Sequence, residues 1–158
     1  MTTLILVRHA KSDWGSPALD DHDRPLNDRG MRDAPAMAER LAATGVTVER
    51  VLASTALRAR TTAAAFGTAL GLEPDLRDEL YGASARVILD AASGSGGARS
   101  VLVVAHDPGM TVLAERLSSG GIGGMPTCAV ATFAWRTDDW DVATATDPDE
   151  WSFDSPKG

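Results

Sequence analysis

Three short apolar runs impose the strongest constraint on how this chain folds. They are TLILVR at residues 3–8, VERVLAS at 48–54 and SVLVVAH at 100–106. Each has the length and the β-branched content of a buried strand. A segment with a helical pattern follows each run. Because strands that alternate with helices form parallel sheets with covered faces, we expect an α/β three-layer sandwich: a mainly parallel central sheet with helices on both faces.

The remaining segments complete this outline. The expected N-caps of the three helices are, in order, Asn27, Ser54 or Thr55, and Asp107 followed by Pro108 at the first helical position. We further predict a short strand at 75–77, a helix over 83–93, and two terminal strands at 128–135 and 140–146. The chain is then a single domain over 1–150, with a poorly ordered tail at 151–158.

Charge and cysteine content exclude several classes of function. The net charge of −7 argues against a general nucleic-acid binder, which needs a basic face for phosphates. Cys128 is the one cysteine, so an internal disulfide and a cysteine-based zinc site are both excluded, as fits the cytoplasm. No apolar run is long enough for a membrane span. We expect no membrane partner, no metal and no cofactor.

Cationic and imidazole side chains follow all three principal strands. Arg8 and His9 end the first, Arg58 lies in the helix after the second, and His106 ends the third. Because parallel strands deliver their carboxyl ends to one sheet edge, these four side chains are expected to converge there. Guanidinium groups pair with two oxygens of a phosphate at once. Neighbouring positive charge also keeps an imidazole neutral, so that it can attack phosphorus.

Four segments resemble, in the same order, the sequence blocks of the histidine phosphatase superfamily, also called phosphoglycerate-mutase-like. They are LVRHAKSDW, DRPLNDRG, STALRARTT and VVAHDPGM. The short length and Ala10, which follows His9, resemble the phosphohistidine phosphatase (SixA-like) branch. The resemblance implies that His9 is the nucleophile and that Arg8, Arg58 and His106 form the phosphate pocket. It also implies the absence of a cap domain and hence an open, shallow site.

The general acid is harder to assign. Phosphatases that cleave esters use a carboxyl group to protonate the leaving oxygen. Glu79 is the preferred candidate, and Asp78, Asp13 and Asp107 are further options. A phosphohistidine substrate reduces the need for such an acid, because an imidazole protonated at its other nitrogen leaves as a neutral molecule.

These features favour a metal-independent phosphohydrolase that works through phospho-His9, with phosphohistidine in a protein as its substrate. One alternative is a phosphatase of small phosphorylated metabolites on the same site. A second is a non-catalytic phosphate-binding module. Among the neighbouring residues, Lys11 and Ser12 are candidates for substrate contact, Arg24 for support of the phosphate site, and Trp14 and Tyr81 for the pocket mouth. His22 is expected at the surface.

Overall fold

A sheet of six strands organises the part of the chain that the structure describes. The structure is a computed structural model that describes residues 1–157. Its strands are β1 (Thr2–Arg8), β2 (Arg50–Ser54), β3 (Asp75–Arg77), β4 (Ser100–Ala105), β5 (Val130–Trp135) and β6 (Glu150–Asp154). Its α-helices are α1 (Asp28–Ala43), α2 (Leu57–Leu70), α3 (Ala85–Ser93), α4 (Gly109–Leu117) and α5 (Trp140–Ala145). Two 3-10 helices cover Asp21–Asp23 and Asp78–Leu80.

The sheet is mixed in direction. Its strand order is β3-β2-β4-β1-β5-β6. The first four strands in this order are mutually parallel, whereas β5 is antiparallel to both β1 and β6. The α/β class is confirmed, but the prediction of a mainly parallel sheet is wrong in this detail. The difference arises because the last two strands pair at one edge as an antiparallel extension.

Helices cover both faces, as predicted for a three-layer sandwich. Side chains along β1 alternate: Leu4 and Leu6 face one core, and Ile5 and Val7 face the other. Buried residues of α3, α4 and α5 close the first core, and those of α1 and α2 close the second. Alternating side chains of one strand thus supply two apolar layers.

The segment at 140–146 was predicted as a strand, and this prediction is wrong, because residues Trp140–Ala145 form α5. Asp139 caps the helix by accepting a hydrogen bond from the backbone N–H of Asp141 at 2.9 Å. Trp140 and Ala143, three residues apart, are buried on one helical face. The Trp140 indole also donates to the carbonyl of Ala98 at 2.6 Å. An alternating pattern in so short a segment fits a helix equally well.

The predicted disorder of the tail 151–158 is wrong for residues 151–154, which belong to β6. Backbone pairing with β5 orders this segment, in a register that joins Val130 to Asp154 and Ala134 to Glu150. The Trp151 ring also packs so closely on Gly121 that a Cβ there would lie 2.4 Å from it. Gly158, the last residue of the predicted tail, lies outside the described residues.

The helix starts agree in part with the predicted caps. Asn27 caps α1 and accepts from the backbone N–H of Gly30 at 2.8 Å, as predicted. The cap position of α2 is Ala56, whose methyl side chain cannot accept a hydrogen bond. The predicted cap at Ser54 or Thr55 is therefore wrong. Helix α4 begins one residue later than predicted, after Pro108. Within residues 1–157, the helices fall short of the length and apolar character that a bilayer crossing requires.

Candidate active site

The sheet places the four predicted residues at the carboxyl ends of its inner parallel strands. Strands β2, β4 and β1 are neighbours and parallel, so their carboxyl ends lie together. Arg8 is paired with Ala105 in the β1–β4 register, and each is the last residue of its strand. His9 and His106 directly follow these two residues. Arg58 lies in the first turn of α2, which follows β2. All four side chains line one cavity of about 220 Å³; its other lining residues are Lys11, Ser12, Trp14, Asp21, Arg24, Asp107 and Thr127.

His9 is buried and held in one tautomer. Its Nδ1 lies 2.8 Å from the carbonyl oxygen of Ala10. Because a carbonyl only accepts, the neutral ring carries its proton on Nδ1 and keeps a free lone pair on Nε2. Burial is the main cause that lowers the pKa of His9 to about 4, and nearby arginines, Arg58 first, lower it further. The hydrogen bond to Ala10 opposes this shift without cancelling it. At neutral pH the ring is therefore uncharged.

His106 faces His9 across the cavity. The two ring centroids are 5.1 Å apart and the ring planes are tilted by 56°. The His106 Nε2 lies 2.7 Å from the Ser54 hydroxyl, and its buried Nδ1 has no hydrogen-bond partner among residues 1–157. Burial lowers the pKa of His106 to about 3, and the neighbouring His9 and Arg58 add to this effect. Ser54, predicted as a helix cap, thus positions the second imidazole.

Arg8 has donors that the protein leaves available. Its Nη1 donates to the carbonyl of Met125 at 2.9 Å and lies 3.7 Å from the Asp107 carboxylate. Its Nε is buried and has no partner within the described residues. A buried N–H without an acceptor is costly. An oxyanion in the cavity would satisfy it.

Asp21 is a cavity residue that sequence reasoning missed. Its Oδ2 accepts from Arg58 at 2.9 Å and from the Tyr81 hydroxyl at 2.6 Å, and its Oδ1 accepts from Arg24 at 2.7 Å. The Asp21 carbonyl accepts a further bond from Arg58 at 2.6 Å. The Tyr81 hydroxyl is the largest of the influences that hold the pKa of this carboxyl well below its usual range, and the two arginines add to it. The sequence shows only an Asp-rich loop with Arg24 three residues after Asp21, which does not identify the partners of this carboxylate.

Arg24 and Trp14 form the outer wall of the cavity. The Arg24 guanidinium is buried, and its central carbon lies 3.3 Å from the centroid of the Trp14 ring. It also donates to the Ser12 hydroxyl. Such stacking suits a guanidinium, which is planar and weakly hydrated. Lys11 and Ser12, the candidates for substrate contact, both line the cavity. Tyr81 lies edge-on to His106, with 5.6 Å between centroids.

The loop after His9 is fixed against two helices. The Ala10 N–H donates to the Thr62 hydroxyl of α2 at 3.0 Å. The Lys11 carbonyl accepts from the Asn27 N–H at 2.9 Å and lies against Gly30. A Cβ at Gly30 would lie only 2.1 Å from that carbonyl oxygen, so a glycine is required for this close approach. Asn27 and Gly30 of the second sequence block therefore hold the loop that follows His9.

The structure does not bring Glu79, the preferred acid candidate, to the cavity. Its half-exposed carboxylate lies 3.9 Å from the Arg77 Nε and is not among the lining groups. Asp78 is exposed, and the Asp13 carboxylate accepts from the backbone N–H of Gly15 instead. Of the four candidates, only Asp107 lines the cavity, where it accepts two hydrogen bonds from Thr111. Glu79 lies in the short 3-10 helix Asp78–Leu80 and outside the lining of the cavity that the four predicted residues share.

Comparison with known families settles the relationship. Residues 4–85 match the model of the histidine phosphatase superfamily (branch 1). The chain belongs to this superfamily. Two uncharacterised mycobacterial proteins are also similar to this histidine phosphatase. One, from Mycobacterium tuberculosis, is 38% identical over 114 residues, which are 72% of this chain and 70% of the relative. The other, from Mycobacterium leprae, is 36% identical over 121 residues, or 73% of each chain.

Solved structures assign this histidine phosphatase to the SixA-like branch. The SixA protein of Agrobacterium tumefaciens has a TM-score of 0.81 and 29% identity, over 98% of both chains. The tungstate complex of the protein histidine phosphatase SixA has a TM-score of 0.75 and 26% identity, over 97% of this chain and 94% of that one. A mycobacterial glucosyl-3-phosphoglycerate phosphatase shares the fold, with a TM-score of 0.61 at 18% identity and 97% coverage of both chains.

Proposed function

We propose that this protein hydrolyses phosphohistidine in a phosphorylated partner protein and that His9 is its nucleophile. One observation carries the proposal: the His9 imidazole, with its Nδ1 bound to the Ala10 carbonyl, faces the His106 imidazole in a cavity lined by three arginines. The free lone pair on Nε2 is the group that phosphoryl transfer to nitrogen requires. The arginines supply the charge that a phosphoryl group requires.

The first step transfers the phosphoryl group to His9. The Nε2 lone pair attacks phosphorus, the bond from phosphorus to the substrate nitrogen breaks, and the substrate imidazole takes that electron pair. If its other nitrogen is protonated, it leaves as a neutral molecule. Arg8 and Arg58 bind the non-bridging oxygens, and His106 stands beside them as a further hydrogen-bonding group. The positive charge of the two arginines stabilises the phosphoryl oxygens as the bond order to phosphorus changes.

The second step regenerates the enzyme. A water molecule attacks the phosphorus of phospho-His9, the bond from phosphorus to Nε2 breaks, and inorganic phosphate leaves with the proton of water passing to solvent or to phosphate. The hydrogen bond from Nδ1 to the Ala10 carbonyl persists through both steps and keeps the ring in one orientation. His9 returns to its starting tautomer without proton exchange.

The carboxylates of the cavity favour a nitrogen leaving group over an oxygen one. An alkoxide leaves poorly without an acid. Asp21 is an unsuitable acid here, because three donors stabilise its ionised form and lower its pKa. Asp107 accepts both the N–H and the hydroxyl of Thr111. Neither carboxyl is suited to protonate an ester oxygen, and a phosphohistidine substrate needs no proton from a carboxyl group.

The size of the cavity favours a phosphoryl group presented by another protein. Pockets that enclose small molecules measure about 300–1,000 Å³, whereas this cavity measures about 220 Å³. It accommodates the phosphoryl group and the edge of the ring that carries it. A phosphatase of small metabolites on the same site is the alternative.

The test of the mechanism is to trap the phosphoenzyme. The protein is mixed with a phosphohistidine protein labelled on phosphorus and quenched in alkali, in which phosphohistidine survives. We expect label on the wild type and none on His9→Ala. His22→Ala is the matched control, because His22 bonds to the Thr55 hydroxyl and does not line the cavity. Label on His9→Ala, or none on the wild type, would refute the role of His9.

Turnover separates the alternatives. We expect a kcat/KM for a phosphohistidine protein at least 100-fold above that for sugar phosphates, with activity retained in EDTA. The reverse preference would support the metabolite phosphatase. Phosphate binding with no turnover of either substrate would indicate the non-catalytic binding module.

A further inference from the structure

The Asp21 carboxylate binds the guanidinium groups of Arg24 and Arg58, which line the proposed phosphate site. Its two oxygens accept from Arg58, Arg24 and Tyr81 at 2.6–2.9 Å. The two arginine side chains are almost fully buried, at 8% and 9% exposure, whereas the Asp21 side chain is 49% exposed. The arginines are therefore fixed inside the cavity, and the carboxylate reaches them from its open side.

We propose that Asp21 is a built-in competitor of phosphate, which occupies Arg58 and Arg24 when no phosphoryl group is bound and which a phosphoryl group must displace. The inference deepens the proposed function, because it rests on the same cavity as the phosphate site. It makes Asp21 a specificity-determining residue rather than a catalytic one.

The charges of the cavity support this role. Arg8, Arg24 and Arg58 contribute three positive charges, and Asp21 cancels one of them at the two guanidiniums it bridges. A phosphate and the carboxylate carry like charges and seek the same N–H donors, so both cannot hold these donors without repulsion. Removal of the negative charge at position 21 therefore strengthens phosphate binding.

The geometry also explains how a phosphoryl group displaces the carboxylate. A phosphoryl group offers three non-bridging oxygens, whereas a carboxylate offers two. The third oxygen can take the buried Nε of Arg8, which has no partner within residues 1–157. Since half of the Asp21 side chain faces solvent, the released carboxylate gains hydration as it turns outward.

Competition by Asp21 weakens the binding of inorganic phosphate, the product, more than the binding of a phosphorylated protein, the substrate. A phosphorylated protein has additional contacts that stabilise its complex, whereas inorganic phosphate has only the cavity. Return of Asp21 to the arginines then favours release of inorganic phosphate and lowers the positive charge of the unoccupied site by one. We therefore expect free phosphate to bind weakly, although three arginines line the cavity.

The test compares phosphate binding in two charge-neutralising variants. Asp21→Asn keeps the shape and one acceptor oxygen but removes the charge. Asp23→Asn is the matched control: it lies in the same 3-10 helix, is 59% exposed, and does not line the cavity. We measure the dissociation constant of inorganic phosphate by calorimetry, and its inhibition constant against turnover. We expect both to fall at least tenfold in Asp21→Asn and to stay within twofold in Asp23→Asn.

The opposite sign would overturn the proposal. If Asp21 merely positions Arg58, its substitution weakens phosphate binding, and unchanged binding would equally refute competition. Tyr81→Phe provides a second variant if Asp21→Asn fails to fold, because it removes one donor from the carboxylate and leaves the charge. We expect it to tighten phosphate binding about threefold, and equal or weaker binding would contradict the proposal.

This outcome is separable from that of the proposed function. Calorimetry needs no turnover, so tighter phosphate binding in Asp21→Asn supports the competition even if no phosphoenzyme forms. Conversely, if a phosphoenzyme forms but Asp21→Asn binds phosphate with unchanged affinity, the proposed phosphatase activity is supported and the proposed competition is refuted.

Discussion

Two buried neutral histidines make the stability of this protein sensitive to mild acid. His9 and His106 are 7% and 6% exposed, and their pKa values are lowered from 6.5 to about 4 and about 3. A basic group whose pKa is lowered on folding costs stability as the pH falls below its unfolded value, because the unfolded chain binds the proton and the folded one does not. The loss begins near pH 6.5 and ends near each folded pKa.

The magnitude follows from these values. At pH 5 an unfolded imidazole is almost fully protonated, whereas both folded rings are still neutral. Each histidine then costs about 2 kcal/mol relative to pH 7, and the pair about 4 kcal/mol. This is a large part of the usual stability of about 5–15 kcal/mol. Asp21, whose pKa is lowered, contributes stability that is lost only as the pH falls below its ordinary value of 3.8, so it adds little in this window.

Urea unfolding at pH 7 and pH 5 tests this expectation. We expect the free energy of unfolding of the wild type to fall by about 4 kcal/mol between the two, and that of His9→Gln or His106→Gln by about 2 kcal/mol. His22→Gln, at a partly exposed histidine that bonds to Thr55, serves as control and should lose as much as the wild type. A loss in His9→Gln equal to that of the wild type would refute the reasoning.

Three further predictions concern single sites. Arg58→Gln removes a buried cation that we propose binds phosphate, and we expect kcat/KM for a phosphohistidine protein to fall at least 100-fold. Arg60→Gln, at an exposed residue two positions on, should change kcat/KM less than twofold. Burial raises the pKa of the Cys128 thiol to about 12, so we expect a thiol reagent to label it at neutral pH only after unfolding in guanidinium. Gly30→Ala forces a Cβ to 2.1 Å from a backbone carbonyl and should lower the free energy of unfolding by about 1–3 kcal/mol. Gly123→Ala, which meets no atom within 4 Å, should change that free energy by less than about 0.5 kcal/mol in denaturant unfolding.

The convergence of four side chains could be predicted from the sequence, because three of them end or directly follow a strand and the fourth lies in the first turn of the helix after β2. The apolar runs identify β1, β2 and β4, and the residues after parallel strands meet at one sheet edge whatever the loops do. Arg8, His9, Arg58 and His106 therefore need only the strand assignment and the direction of the strands.

The role of Asp21 could not be predicted in this way, because its partners are distant along the chain. Arg58 is 37 residues away and Tyr81 is 60 residues away. The contacts depend on how a polar loop folds over the sheet edge, and no local periodicity encodes that path. The Asp-rich composition of the loop indicated only that it lies at the surface.

The last two elements, α5 and β6, were misassigned because their structure depends on tertiary contacts, whereas the strand predicted before them was correct. The pattern of residues 140–146 is too short to separate a strand from a helix, and tertiary contacts of Trp140 decide the outcome. Strand β6 forms because β5 offers an open edge for pairing. Its exposed Trp151 and Phe153 carry no burial signal that a sequence pattern could reveal.

The register between β1 and β4 has a consequence for how activity depends on temperature. His9 and His106 follow a directly paired couple of residues, and the His9 N–H itself donates to the Ala105 carbonyl at 3.1 Å. Neighbouring strands lie about 4.8 Å apart, close to the 5.1 Å between the two rings. The hydrogen-bond ladder between the two central strands thus sets the backbone spacing beneath the two imidazoles. Loops generally open at a lower free energy than core strands do. The proposed transfer of a phosphoryl group to His9 should accordingly persist on heating until the sheet itself unfolds.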